Sequence, residues 1–122
     1  MRSSVLERAK RALESGDAET LVDCYSDPCL LQDAPSGDTW TTRDALDSMY
    51  RRLLAPPNAF SDVRVFEGDG WGAIEWTWSG VNRRTSVPFR IRGASVVELR
   101  EERIARETLY YDPRPATGSP SP

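Results

Sequence analysis

The stretch Arg92–Asp112, RGASVVELREERIARETLYYD, decides the fold. Ser95, Val97 and Leu99 fall on one side of an extended chain, and Ala94, Val96 and Glu98 on the other. That period of two marks a strand with one buried face. Glu101, Glu102 and Arg103 interrupt the run, and alternation resumes from Ile104 to Tyr111. The pattern predicts two strands joined by a tight turn. Upstream, the first strand extends back to about Thr85, with Val87, Phe89 and Ile91 on the inner side and Arg90 and Arg92 on the outer. Gly93 inside it predicts a bulge or bend.

Working outward, Trp71 to Ser79 also alternates, placing Ile74, Trp76 and Trp78 on one face. Val63–Phe66 precedes it across the turn Glu67-Gly68-Asp69-Gly70. The first half of the chain has helical texture. Ser3 or Ser4 caps a helix from Val5, with Leu6, Ala9, Ala12 and Leu13 on its apolar face and Gly16 at its end. Asp17 caps a shorter helix through Leu21, Val22 and Cys24, which Asp27-Pro28 is expected to end. A short strand, Cys29–Asp33, leads into the turn Ala34–Asp38. Thr41 or Thr42 opens a third helix with the stripe Leu46, Met49, Tyr50, Leu53 and Leu54, stopped by Pro56-Pro57. Helices followed by a strand meander make an α+β domain. The expected form is a cone-shaped barrel: N-terminal helices packed on a strongly curved, mostly antiparallel sheet that encloses a pocket. Residues 1–112 form this domain, and the Pro/Ser-rich segment 113–122 reads as a disordered tail.

Composition narrows the chemistry. The 122 residues hold no histidine, which removes Ser-His-Asp and Cys-His nucleophiles and the commonest transition-metal ligand. Neither a metal site nor a cofactor-binding motif is legible. Catalysis must therefore run on carboxylates, phenols, hydroxyls or arginine. The net charge of −3 and the lack of a basic patch interleaved with aromatics argue against nucleic acid. No apolar run reaches membrane-spanning length. The N-terminal stretch reads as an amphipathic helix, not a signal peptide, and Cys24 and Cys29 as free structural thiols. A cytoplasmic location is the expectation.

The element order resembles the nuclear transport factor 2-like superfamily, in its SnoaL-like and ketosteroid isomerase-like branch. Four phrases carry the resemblance: ALESGDAETLVDCYSD at 12–27, LLQDAPSG at 30–37, RDALDSMYRRL at 43–53 and the 92–112 hairpin. Together they span roughly residues 4 to 112. In ketosteroid isomerases a general-base aspartate follows the second helix in a strand-turn phrase, and Gln32-Asp33-Ala34-Pro35 occupies that place. The resemblance implies Asp33 as the base and Tyr50 as a supporting phenol. The family's first oxyanion donor falls on Ala9 and the second on Ser95, so the steroid oxyanion hole is not retained. Limonene epoxide hydrolases place an acid where this chain has Leu109, which disfavours that chemistry. A homodimer is implied by the same resemblance.

Asp33 thus reads either as a proton shuttle, its pKa raised by an apolar cavity, or as a turn residue binding backbone N–H groups. Tyr50 orients Asp33 or a substrate carbonyl, or is a core phenol. Trp76, Trp78 and Tyr111 form a ligand-contacting wall or plain core, and Trp40 covers the pocket mouth or packs the helix entry. Ser95 touches ligand or packs beside a bulge. Glu107 shares parity with Leu109 and Tyr111, so it is a second pocket acid or a rim charge paired with Arg84 or Arg92. The leading reading is a cofactor-independent acid–base enzyme, an isomerase or cyclase. It would act on a hydrophobic carbonyl-containing metabolite, with a polyketide type among the candidates. The alternatives are a non-catalytic small-molecule-binding or dimeric interaction domain, and a lyase or hydrolase using Asp33 with Glu107.

Overall fold

The structure, a computed structural model, describes residues 4–117. Helix α1, Val5–Ser15, starts where the Ser4 hydroxyl accepts the Glu7 N–H at 3.0 Å. It ends at Gly16, whose φ of 73° suits a residue without Cβ. Its buried face is Val5, Leu6, Ala9, Ala12 and Leu13, as the periodicity predicts. Helix α2, Ala18–Asp23, is capped by Asp17. It stops four residues earlier than the Asp27-Pro28 reading, and strand β1, Tyr25–Asp33, begins at once. Two backbone captures explain the early switch. The Ile104 N–H donates to the Cys24 carbonyl at 2.8 Å, and the Arg43 guanidinium donates twice to the Tyr25 carbonyl, at 3.1 and 2.7 Å. Pro28, which has no N–H for the ladder, sits where β1 slips register between Tyr25 and Leu30.

Strand β2, Thr39–Trp40, pairs with β1, so Trp40 belongs to an edge strand and not to a loop. Helix α3, Arg43–Leu53, starts at the Thr42 cap and buries Leu46, Met49 and Tyr50. Strands β3 (Ala59–Glu67), β4 (Trp71–Val81), β5 (Pro88–Arg100) and β6 (Arg103–Tyr110) complete the sheet. The order is β2-β1-β6-β5-β4-β3, with β1 and β6 parallel and the other neighbours antiparallel. The sheet is curved but open, with edges at β2 and β3, so it is not a closed barrel.

Gly93 is not a bulge. Pairing runs through it without a slip, opposite Trp76, and a Cβ there would lie 2.3 Å from a ring carbon of that tryptophan. Gly93 makes room for the indole. The irregularity in this hairpin lies further on, where Glu98 pairs Arg106 but Leu99 pairs Ile104, leaving Ala105 as the extra residue. Strand β5 also starts later than Thr85. The Asn82 side chain gathers the N–H groups of Arg84 and Thr85 into a turn, leaving Val87 exposed outside the sheet. Of the expected tail, Arg114–Thr117 forms a short turn of helix, α4, and Asn82 donates to the Pro115 carbonyl at 2.9 Å. Residues 118–122 lie outside the described residues.

Candidate functional site

Between the helices and the inner face of β4–β6 lies a cavity of about 90 Å³. Its wall is largely aromatic: Tyr25, Tyr50, Phe60, Trp76, Trp78 and Tyr111 all contribute. Four of these rings form a circuit. Phe60 meets Trp76 edge-on at 5.7 Å between centroids, Trp76 meets Tyr111 at 5.7 Å, Tyr111 meets Trp78 at 6.2 Å, and Trp78 stacks over Phe60 at 6.5 Å. Such offset and edge contacts are the favoured geometry for aromatic pairs and hold the wall rigid.

The carboxyl group in this wall is that of Glu107, 3% exposed. The extra residue Ala105 puts it there. Without that residue Ile104 and Arg106 would share a face; with it, Ile104 and Glu107 both turn inward. The rim reading of Glu107 is therefore corrected, and Arg92 pairs on the outer face with Glu75 instead, at 3.6 Å. The Tyr25 hydroxyl donates a short hydrogen bond to Glu107 Oε1, and the Tyr25 and Tyr50 hydroxyls lie 2.7 Å apart. Ser95, wholly buried, accepts the Trp76 Nε1–H at 3.0 Å and turns its own hydroxyl toward Glu107. Burial pushes the Glu107 carboxyl above the usual range, while Tyr25 and Ser95 pull it back down. Burial first, then the charge of Glu107, holds the Tyr25 and Tyr50 phenols protonated well above their ordinary range.

Asp33 is placed differently. It ends β1, is 8% exposed, and is not part of the cavity wall. Its Oδ2 accepts the Ser36 hydroxyl at 2.6 Å, and its Oδ1 is buried without a hydrogen-bond partner. The backbone N–H groups expected around it bond elsewhere: Asp33's own to the Asp38 carbonyl, and Gly37's to the Asp33 carbonyl. Tyr111 lines the cavity and lies beside Asp33. Burial, and then the Asp33 carboxylate, raise its phenol above the ordinary range. Tyr50 bonds Tyr25 and does not orient Asp33. Trp78 lines the wall, packs edge-on against Phe89 at 4.9 Å, and keeps a buried Nε1–H with no partner.

The structure thus joins Tyr50, Trp76, Ser95 and Glu107 into one network, through Tyr25, and leaves Asp33 outside the cavity wall. Tyr25 and Phe60 are site residues that the sequence reading does not single out. For Tyr25 the available signal was a strand reading that starts before Pro28; the helix-ending reading of Asp27-Pro28 concealed it. Among the described residues, no three His, Cys, Asp or Glu side chains converge as metal ligands, and no helix is long and apolar enough to cross a membrane. Cys24 and Cys29 are buried free thiols.

Solved structures share this architecture. A nuclear transport factor 2-like protein from Burkholderia thailandensis superposes with a TM-score of 0.83 at 16% identity, covering 99% of this chain and 100% of that one. A protein with a ketosteroid isomerase-like fold from Catenulispora acidiphila, solved in complex with trimethylamine, gives 0.80 at 17% identity, covering 97% and 92%. A candidate polyketide cyclase from Silicibacter sp. TM1040 gives 0.74 at 18% identity, covering 88% and 86%. At these identities the likeness is one of fold. No curated protein matches the chain in sequence. The model of the SnoaL-like domain matches residues 6–107, from the first helix to the cavity carboxylate, and the chain belongs to that family within the nuclear transport factor 2-like superfamily.

Proposed function

We propose that this chain is a cofactor-independent acid–base enzyme for a compact, largely apolar carbonyl compound, with Glu107 as the group that takes and returns the proton. One observation carries the reading: the cavity's carboxyl is buried among aromatic rings and held by Tyr25 and Ser95. Burial favours the neutral acid and the two hydroxyls favour the carboxylate, which keeps both forms accessible, as a proton carrier requires. A proton taken from carbon beside a carbonyl and returned elsewhere gives isomerisation or cyclisation. The candidate polyketide cyclases among the fold neighbours are consistent with that class.

The size of the cavity favours a compact substrate. About 90 Å³ is far below the roughly 300–1,000 Å³ of drug-sized ligand pockets, so a multi-ring guest would need the wall to open. Asp33 enters the scheme through Tyr111, whose phenol it faces, as a positioning group. The lyase or hydrolase alternative would need Asp33, which does not line the cavity, to meet one substrate together with Glu107. A homodimer through the outer face of the sheet, where Trp71, Val96 and Tyr110 are about half exposed, completes the proposal.

The test is exchange of the α-protons of acetone, a ketone small enough for the cavity, in D2O, followed by NMR. The wild-type protein is expected to accelerate exchange, Glu107→Gln to abolish the acceleration, and Asp33→Asn to retain most of it. Loss in Asp33→Asn with retention in Glu107→Gln would transfer the role to Asp33. No acceleration by folded wild type would leave a non-catalytic binding domain.

A further inference from the structure

The cavity has a polarity that a hydrophobic hollow alone would not have. Among the described residues, six aromatic side chains, six aliphatic ones, Ser95 and one carboxyl line it, and no Lys or Arg side chain does. The wall's hydrogen-bond donors are mostly spent on each other. Tyr25 donates to Glu107, Tyr25 and Tyr50 share one hydrogen bond, and Trp76 donates to Ser95, leaving the Trp78 N–H without a partner and the Tyr111 hydroxyl beside Asp33. Aromatic faces carry negative potential and a carboxylate carries a full negative charge. An anionic guest would therefore meet like charge with almost nothing to bind it, whereas a cation would meet both ring faces and a buried counter-charge.

We infer that the cavity also takes a compact alkylammonium ion in place of the carbonyl substrate, seated among Trp76, Trp78, Tyr111 and Phe60 with Glu107 as its counter-ion. Size agrees. A dry cavity of about 150 Å³ is known to hold benzene, so about 90 Å³ suits a group of roughly four heavy atoms. Burial of an uncompensated carboxylate is costly, and an ammonium ion removes that cost. Binding therefore releases any proton that Glu107 holds in the empty cavity, and affinity rises with pH across its titration. This inference rests on the proposed reading that the cavity is the binding site. It does not require Glu107 to move a proton from carbon.

The test compares three probes of four to five heavy atoms and different charge: tetramethylammonium, tert-butanol and acetate. Binding to the full chain is read by tryptophan fluorescence and calorimetry. The inference expects tetramethylammonium to bind at least tenfold tighter than tert-butanol, and acetate, the smallest of the three, not to bind. It expects Glu107→Gln, with an unchanged far-UV spectrum, to lose about tenfold or more of the ammonium affinity. Glu107→Asp, which keeps the charge, retains the preference for the cation even if binding weakens. Equal or tighter binding of tert-butanol or acetate overturns the inference and leaves the cavity as a binding site. Failure of all three probes overturns it as well, and acetone exchange then decides the catalytic reading separately.

Discussion

Replacing Gly93 by alanine tests the wall of the cavity without touching its acid. The added methyl would sit 2.3, 2.6 and 2.8 Å from three carbons of the Trp76 ring, distances no real Cβ tolerates. The indole is flanked by Phe60 and Tyr111, so it cannot swing freely. Overpacking of this kind costs about 1–3 kcal/mol. Displacing the ring also strains the 3.0 Å hydrogen bond from Trp76 Nε1 to Ser95, at a cost of about 0.5–1.5 kcal/mol. Against this, alanine restricts the unfolded chain and returns about 0.4–1 kcal/mol. The net expectation is a loss of ~2 kcal/mol, read as a lower urea midpoint with an unchanged m-value. Combining Gly93→Ala with Trp76→Phe, which vacates the contested space, should give a strongly non-additive double-mutant cycle. A Gly93→Ala protein as stable as wild type, or two changes that simply add, would refute the idea that Gly93 exists to admit the indole.

Tyr25→Phe leaves Glu107 and Tyr50 each short of a buried partner and should destabilise by about 1–3 kcal/mol; an unchanged urea midpoint would show that the hydrogen bond contributes nothing. Glu107 titrates higher folded than unfolded, so between its ordinary value near 4.3 and its raised value the native state holds the extra proton. Stability should therefore fall as pH rises through that window and level off above it, and Glu107→Gln should flatten the slope; a stability that rises there in wild type alone would reverse the sign argument. Glu101 and Glu102 turn the β5–β6 hairpin with φ of 52° and 63°, where Asn and Gly sit more comfortably. Glu101→Asn with Glu102→Gly should raise stability by about 1 kcal/mol in urea denaturation, and no gain would argue against strain in that turn. If the proposed homodimer forms through the outer sheet face, wild type should run as a dimer and Val96→Arg as a monomer by light scattering; a monomeric wild type, or a dimer unaffected by the change, would contradict it.

The helices were legible because their signals are local. Ser4, Asp17 and Thr42 each cap a helix by accepting an N–H three residues on, and the apolar stripes follow a period that needs no partner to read. The hairpin of β5 and β6 was legible from alternation alone. What escaped depends on neighbours distant in sequence. Tyr25 is extended because Arg43 and Ile104 hold the backbone on either side of it, and neither is visible from the run that precedes Pro28. Gly93 looks like a bulge until Trp76 is known to lie over it. The inward turn of Glu107 follows from one unpaired residue, Ala105, whose place is set only by pairing with β5. The resemblance to ketosteroid isomerases directed attention to Asp33, and that residue is buried but is not part of the cavity wall.

The carboxyl carbons of the glutamates, followed by ¹³C NMR through a pH titration, address the core of this account directly. One signal, absent from the Glu107→Gln spectrum, should titrate clearly above about 4.3 and move back toward it when an ammonium guest is added. If the signal removed by that substitution titrates with the ordinary, solvent-exposed glutamates, the acid is not enclosed by the rings, and the chemistry assigned to it fails.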